Sequence, residues 1–445
     1  MIRNSRTTAP SAASQSRTRL GLAGLAGLAG LAGLAACSEA PDSSSQALTY
    51  HGDIAPLVER YCGGCHVAGG IAPFALGSYS EVSRYAASVR SAVARGSMPP
   101  WMPSEDSRPL HGSRAMRPQD KEQLLRWIDE GLQEGDPAKP PRTDLPPADP
   151  PAAPRADLVL DPGWTYTPQD TRDDDYHCFV FDPKLAADRF MVAGDVRPGN
   201  PRIVHHVIAY EILEADVAAI RAKDPDGKGY TCFGAPGTSG PPTTLLGWAP
   251  GSPGSRMPEG TALRLHKGSL IVVQVHYNVL YGPGQSDRTV MSFELTDTPP
   301  ARELYALPLA RPKMLKIPAG MPDAVQTIEV PLSALTSFFK LPSNSLTVYA
   351  HTPHMHLLGR RITTWLNGQL VLDLPRWDYH WQQAYLFQEP YQAKGTDVLK
   401  LECRYDNTAA NQPVINGQQQ APRDVTWGEG TLDEMCLNYV LLSAQ

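Results

Sequence analysis

Two cysteines separated by two glycines and followed at once by a histidine, Cys62-Gly63-Gly64-Cys65-His66, are the densest chemistry in this 445-residue chain. At that spacing both thiols can add to the vinyl groups of one haem while the adjacent imidazole reaches the iron. Cys62, Cys65 and His66 are therefore the expected anchors of one covalently bound haem c. A disulfide or a redox dithiol is the alternative use of the pair. The iron needs a second axial ligand. Met98, in Arg95-Gly96-Ser97-Met98-Pro99-Pro100-Trp101, is the first candidate, because it lies downstream where prolines hold the chain extended. Met102 is the second. A thioether opposite histidine raises the potential of a haem.

Three further strings offer imidazole. In Val204-His205-His206-Val207 the two side chains would point to opposite faces of a regular strand, so both reach one metal only at a bulge or a strand end. His276 ends an apolar run, Gln274-Val275-His276-Tyr277-Asn278, where a lone histidine is ordinarily a satisfied edge residue. In His351-Thr352-Pro353-His354-Met355-His356, the spacing of His354 and His356 puts both on one strand face, able to chelate one ion. Imidazole suits copper or zinc, and an added thioether shifts the preference towards copper(I).

These residues need positioning elements of two kinds. Around the thiols the pattern is helical. Ile54, Leu57 and Val58 form one apolar stripe, and Leu124, Leu125, Trp127 and Ile128 form another in a helix expected to end near Gly131. Residues 48–137 are read as a small all-α cytochrome c domain. Residues 138–157 are a Pro/Ala-rich linker, extended and semi-rigid. Beyond it the period changes to short strands between Gly/Pro turns, among them Arg202 to Glu211, Leu270 to Asn278, Ser345 to Ala350 and Leu437 to Leu442. That is the pattern of β-sandwiches or jelly rolls. A break at Thr296-Asp297-Thr298-Pro299-Pro300 divides them into units 158–298 and 299–445. The expected fold is thus multidomain, a small helical domain followed by two all-β sandwiches.

The N-terminus reads as a targeting segment. Arg3, Arg6, Arg17 and Arg19 precede an apolar run from Leu20 that ends in Leu34-Ala35-Ala36-Cys37. A cationic start, a short apolar stretch and small residues before the cut describe an export signal. The cysteine after them resembles the lipidated residue of bacterial lipoproteins. A membrane-spanning anchor is the alternative, for which the run is near the short limit. Residues 1–37 are expected to be a signal with Cys37 as the lipid site, and 38–47 a Ser-rich tether. The protein is then exported and held by its lipid in the periplasm or at the outer membrane. Four cysteines remain, Cys178, Cys232, Cys403 and Cys436. In an oxidising compartment they form two disulfides. Three pairings exist, and proximity favours Cys178–Cys232 with Cys403–Cys436. The net charge of -6 is spread along the chain and leaves no basic footprint for nucleic acid.

Taken in order, His-His, Gln-x-His-Tyr, His-x-His with Leu-x-Gly, and Asp433-Glu434-Met435-Cys436 resemble the copper type II, ascorbate-dependent monooxygenases, the peptidylglycine α-hydroxylating and dopamine β-monooxygenase family. The resemblance covers roughly residues 158–445. It implies two jelly-roll sandwiches, each holding one copper ion, that face each other across a cleft. By the same resemblance, His205, His206 and His276 hold the electron-transfer copper. His354, His356 and Met435 hold the copper that binds O2, with Tyr439 matching a family tyrosine beside it. The two disulfides favoured by proximity also match the family's. The implied partners are O2 and a small-molecule or peptide-like substrate with an activated C–H bond. Two positions depart from the pattern. Thr352 stands where the amidating enzymes carry an arginine for the peptide carboxylate, and Leu437 stands where an asparagine is expected. A C-terminal glycine peptide is therefore not the expected substrate. His351 is additional and read as structural or supporting. Trp377 and Trp381 could wall the cleft, with core packing the expected role.

Monooxygenation needs two electrons from outside, and a haem on the same chain suggests an internal relay, fed by a periplasmic electron donor, that delivers them to the copper of His205, His206 and His276. The rival reading is a periplasmic c-type electron carrier whose sandwiches bind copper or serve adhesion without monooxygenase activity.

Overall fold

The helix that leads into the thiol pair, Ala55–Cys62, starts with proline in its first turn, where a missing N–H costs nothing. A π-helical turn, Tyr50–Ile54, precedes it. Thr49 caps that turn by accepting from the Gly52 N–H. Leu57, Val58 and Tyr61 face inwards onto Val89 and Val93 of the helix Ala86–Arg95, and onto Leu124 and Trp127 of the helix Pro118–Asp129. Gly96, at φ 68°, stops Ala86–Arg95 in the left-handed conformation that glycine adopts without strain. The Tyr61 hydroxyl donates to Asp120 over 2.6 Å, and Arg117 forks onto the same carboxylate. This computed structural model describes residues 47–142 (less 69 and 71), 145, 154–279 (less 170–173, 251 and 253) and 284–445 (less 416). The expected signal, Cys37, nearly all of the tether and half of the Pro/Ala linker lie outside the described residues.

Two β-sandwiches follow. Both expected disulfides are formed, Cys178–Cys232 and Cys403–Cys436. The first sandwich packs a five-stranded sheet, built on Asp174–Phe181, Leu270–Asn278 and Val204–Ile212, against Leu158–Leu160, Val290–Thr296, Arg189–Arg197 and Thr261–Leu265. Val207, Ala209, Val273 and Val275 meet Met191, Leu263, Met291 and Phe293 between the layers. The second packs the four strands Ala324–Pro331, Val398–Tyr405, Gly359–Leu366 and Gln369–Leu374 against Arg302–Ala310, Leu437–Ala444, Ser345–His354 and Tyr385–Lys394. One layer is common to both. Arg302 and Glu303 pair in parallel with Thr261 and Ala262, so a single nine-stranded sheet runs through the two sandwiches. The break near residue 298 is a change of partner sheet rather than a gap in the hydrogen bonding.

The segment after Met98 does not stay with the helices, as the 48–137 boundary would have it. Ser104 and Arg108 donate their N–H groups to Asp373 and Val371 over 2.8 and 3.0 Å. His111 donates to Leu386, and Gln388 donates back to Pro109. The strands Gln369–Leu374 and Tyr385–Lys394 are the outer strands of their two sheets. Residues 104–111 therefore close two open edges of the second sandwich, which otherwise expose unpaired N–H and C=O groups. Met102 and Leu110 are buried in its core, where Trp101 also packs. The segment is a clamp that fixes the helices to the second sandwich.

Truncating the clamp's anchor tests this. Leu110→Ala should destabilise the second sandwich by about 3 kcal/mol in chemical denaturation, the cost of a core leucine. A loss below about 1 kcal/mol would mean that the clamp only rests on the surface.

Candidate metal centres and the cavity between them

The strand Val204–Ile212 carries the irregularity that the His-His pair requires. Val204 pairs with Tyr277 and His206 with His276, so His205 is an extra residue between consecutive partners, a β-bulge. The bulge turns the His205 ring to the side of His206, while pairing sets His276 directly opposite His206. The ligand atoms of the three rings lie within 4.8 Å of one another. His206 Nδ1 is 3.3 Å from His205 Nδ1 and 3.4 Å from His276 Nδ1. His276 Nε2 donates to Asp174 over 2.7 Å, which leaves its Nδ1 unprotonated and pointing into the cluster. Burial holds His205 and His206 well below the usual imidazole range, and the neighbouring rings add to the effect. Three neutral nitrogens facing one point are a donor set for a copper- or zinc-sized cation.

The second cluster forms where a strand stops. Ser345–His354 ends at His354, and His356 lies two residues beyond, so the pair does not share a regular strand as expected. The alternation nevertheless persists past the last pairing, because Met355 is drawn into the core with 0% exposure. His354 and His356 bring their Nε2 atoms to 3.1 Å. Their Nδ1 atoms donate elsewhere, His354 to the Gln382 side-chain oxygen and His356 to the Asp433 carbonyl, so both Nε2 lone pairs face the gap. Burial pushes His354 down to about 4 and His356 to about 3. Gly359 follows because a Cβ there would come within 2.7 Å of the Trp377 ring. Trp377 is buried and donates to the His356 carbonyl, while Trp381 is partly buried and also lines the cavity below.

Met435 is delivered by a loop that is fastened at several points. The buried Glu434 carboxylate accepts N–H bonds from His356 at 2.9 Å, Leu358 at 2.6 Å and Met435 at 3.3 Å. Burial raises this carboxyl to about 8, against the pull of those donors. The Tyr405 hydroxyl donates to the Met435 carbonyl, and Cys436 is bonded to Cys403. The same loop grips the first sandwich. Thr431 donates its N–H and hydroxyl to Asp174 over 2.8 and 2.5 Å, and the Tyr176 hydroxyl donates to the Glu429 carbonyl over 2.6 Å. Tyr379 stacks on His205 at 4.3 Å, lies 5.7 Å from the His356 ring and has its hydroxyl 3.0 Å from that of Thr431. Asp174, Tyr176, Tyr379 and Gln382 were not singled out by sequence reasoning. Nothing local marks them, because each acts on a histidine distant in the chain. Glu434 was in view inside its motif, without a role.

A cavity of about 2720 Å³ is lined by Cys62, Cys65, His66 and Met98 and also by His206, His354, His356, Met435 and Tyr439. The two thiols are free and half-buried, and burial pushes Cys62 up to about 12. His66 Nδ1 donates to the Phe74 carbonyl over 3.0 Å, so its Nε2 is left unprotonated. Met102, the second candidate for the axial position, is in the sandwich core, where its sulfur accepts from the Asp378 N–H. Burial raises Tyr439 to about 12. Glu429 also lines the cavity, and among the described residues it has no ion-pair partner; burial lifts it to about 7.

His351 faces away from the clusters. It is fully buried and joins Thr364 to Tyr391 through 3.0 Å hydrogen bonds at each ring nitrogen. Burial pushes it from 6.5 down to about 3. The unfolded chain therefore takes up the proton first, so the contribution of this neutral ring is complete above pH 6.5 and is lost as pH falls towards 3. His351→Leu should keep its metal content and lose stability at pH 7. Between about pH 7 and pH 5 it should lose about 2 kcal/mol less than the wild type. Equal losses in denaturant titrations at the two pH values, or a change in bound metal, would contradict the structural role.

Residues 332–443 match the family described as copper type II ascorbate-dependent monooxygenase, C-terminal domain. The chain is 22% identical over 288 residues to a tyramine beta-hydroxylase of Caenorhabditis briggsae, covering 61% of this chain and 43% of that protein. It is 24% identical over 286 residues to a dopamine beta-hydroxylase of Rattus norvegicus, covering 60% of this chain and 42% of that one. It thus spans little more than two fifths of the length of these relatives. Among solved structures, PNGase F, a glycosylasparaginase from Flavobacterium meningosepticum, aligns with 65% of this chain and 96% of its own at 8% identity and a TM-score of 0.24, too loose a superposition to compare folds. Residues 332–443 are thus similar to the C-terminal domain of the copper type II, ascorbate-dependent monooxygenases, and the chain as a whole is distantly similar to two hydroxylases.

Proposed function

We propose that the chain is a copper monooxygenase that hydroxylates an activated C–H bond with O2, its electrons relayed by a c-type haem carried on the same chain. The observation that carries the reading is a pair of unlike donor sets bordering one cavity, the first of them through His206. One is three converging Nδ1 atoms of His205, His206 and His276; the other is two Nε2 atoms of His354 and His356 with Met435 on the same cavity wall. Copper bound there supplies one-electron transfer at an all-imidazole site and O2 activation at a site softened by a thioether. The protein holds each imidazole in a single tautomer through Asp174, Gln382 and the Asp433 carbonyl, and Tyr439 walls the oxygen side. On the lining of the same cavity Cys62 and Cys65 would attach the haem, His66 would ligate its iron through Nε2 and Met98 is the candidate opposite ligand. The free thiols and the Phe74 bond to His66 Nδ1 fit that use. Two disulfides suit an oxidising compartment, in line with export and lipid anchoring through Cys37.

Metal content tests the reading on protein matured with haem and loaded with copper. Two coppers per haem are expected, with one lost in Met435→Ala or His354→Ala and the other in His206→Ala. No copper, or one ion indifferent to these changes, would leave a haem electron carrier with sandwich domains as the better account.

The substrate we infer is a small molecule bearing a positive charge. Thr352 offers no cation for a carboxylate, Glu429 is a cavity carboxylate without an ion-pair partner among the described residues, and the two relatives are hydroxylases of amines by name. Glu429→Gln should raise KM for an arylalkylamine by about tenfold or more, the value of one charge-assisted hydrogen bond, and leave KM for the matching neutral alcohol unchanged. Equal effects on the two compounds would remove Glu429 from substrate recognition.

A further inference from the structure

The clamp carries a chain of polar groups from the thiol motif to one of the two histidine clusters. Arg114, at the end of the clamp, stands close enough to the Cys65 thiol to pull its proton affinity down against the effect of burial. Its guanidinium also donates to the side-chain oxygen of Gln383. The neighbouring residue, Gln382, accepts from His354 Nδ1. Gln382 is itself held by donating to the Tyr379 carbonyl over 2.8 Å and is 9% exposed. From the second thiol to a candidate copper ligand, the connection is one arginine–thiol approach, two hydrogen bonds and one peptide linkage. The backbone bonds of the clamp likewise go to the second sandwich, at Asp373, Val371, Leu386 and Gln388. His205 and His276 do not line the shared cavity.

We propose that Arg114, Gln383 and Gln382 form the electron path from the haem site, and that electrons enter the copper pair at the ion held by His354, His356 and Met435 rather than at the His205 cluster. The inference rests on the haem and copper readings given above. Each transfer oxidises one ferrous haem to ferric and reduces one copper(II) to copper(I), with no proton moved. Two such transfers supply one hydroxylation. Arg114 and Gln383 are positioning residues, acting through Cys65 and His354.

The test uses the full chain with ferric haem and both sites loaded with copper(II), without oxygen. A laser pulse reduces the haem through a photosensitiser, its reoxidation is followed by absorbance, and loss of the copper(II) signal by electron paramagnetic resonance. Fast reoxidation should survive His206→Ala and disappear in His354→Ala and in Met435→Leu. Gln383→Ala and Arg114→Ala should slow it by about tenfold, the usual cost of losing an outer partner of a metal ligand, with haem spectrum and copper content unchanged. Gln383→Glu keeps an acceptor for Arg114 and should restore the rate. Loss of the fast phase in His206→Ala with retention in His354→Ala would overturn the proposal, as would an unchanged rate in both Gln383→Ala and Arg114→Ala. Absence of haem bands, or fewer than two coppers in the wild type, would show instead that the underlying reading is wrong, and the path would fall with it.

Discussion

The arrangement turns on the Asp174 carboxylate. It accepts from His276 Nε2 on its own sheet and from the N–H and hydroxyl of Thr431 on the other sandwich. Burial alone would raise this carboxyl. The hydrogen bond from His276, with the two Thr431 bonds, holds it below its ordinary range, so it stays an acceptor for all three donors. One group thus sets which nitrogen of His276 faces His205 and His206 and docks the loop whose Met435 lines the same cavity as His354 and His356. A carboxylate so buried, without those partners, would cost several kcal/mol, which makes the two-sided contact close to obligatory.

Rigidity elsewhere serves the same geometry. The nine-stranded sheet runs unbroken through both sandwiches, so their relative position is set by backbone hydrogen bonds rather than by a side-chain interface alone. Glu434 binds the end of the His-x-His turn to the Met435 loop, and the Cys403–Cys436 bond ties that loop to the sheet behind it. The clamp gives the helical segment a fixed place as well. With residues 104–111 sealing two sheet edges, the Pro/Ala linker does not have to set the distance from Cys65 to the histidine clusters.

Burial keeps the clustered imzidazoles His205, His206, His354 and His356 neutral across the physiological range, which is the state that binds a metal. The same burial leaves Glu429 as a cavity carboxylate with a raised proton affinity, a group suited to meeting a cation.

Much of this was legible from residue type and spacing. The C-x-x-C-H string, the helical stripes around it, the change of period after the prolines and the two cysteine pairs are local signals, and local geometry follows from them. The sequence also stated the condition for His205 and His206 to act together, a bulge, without showing one. What it could not show was anything carried by residues far apart in the chain. The bulge at His205 depends on register against Tyr277 and His276. The place of residues 101–114 was misjudged because an extended segment with few apolar residues carries no mark of the sheet edge it will cover. Asp174, Tyr379 and Gln382 gain their roles only from neighbours 174 to 431, 379 to 205 and 382 to 354, pairs that no period or motif connects. The sequence by itself determined which donor atoms the chain owns and which elements carry them. Only the tertiary structure decided which donors meet, because hydrogen-bond register and burial act between segments whose separation along the chain holds no information about their distance in space.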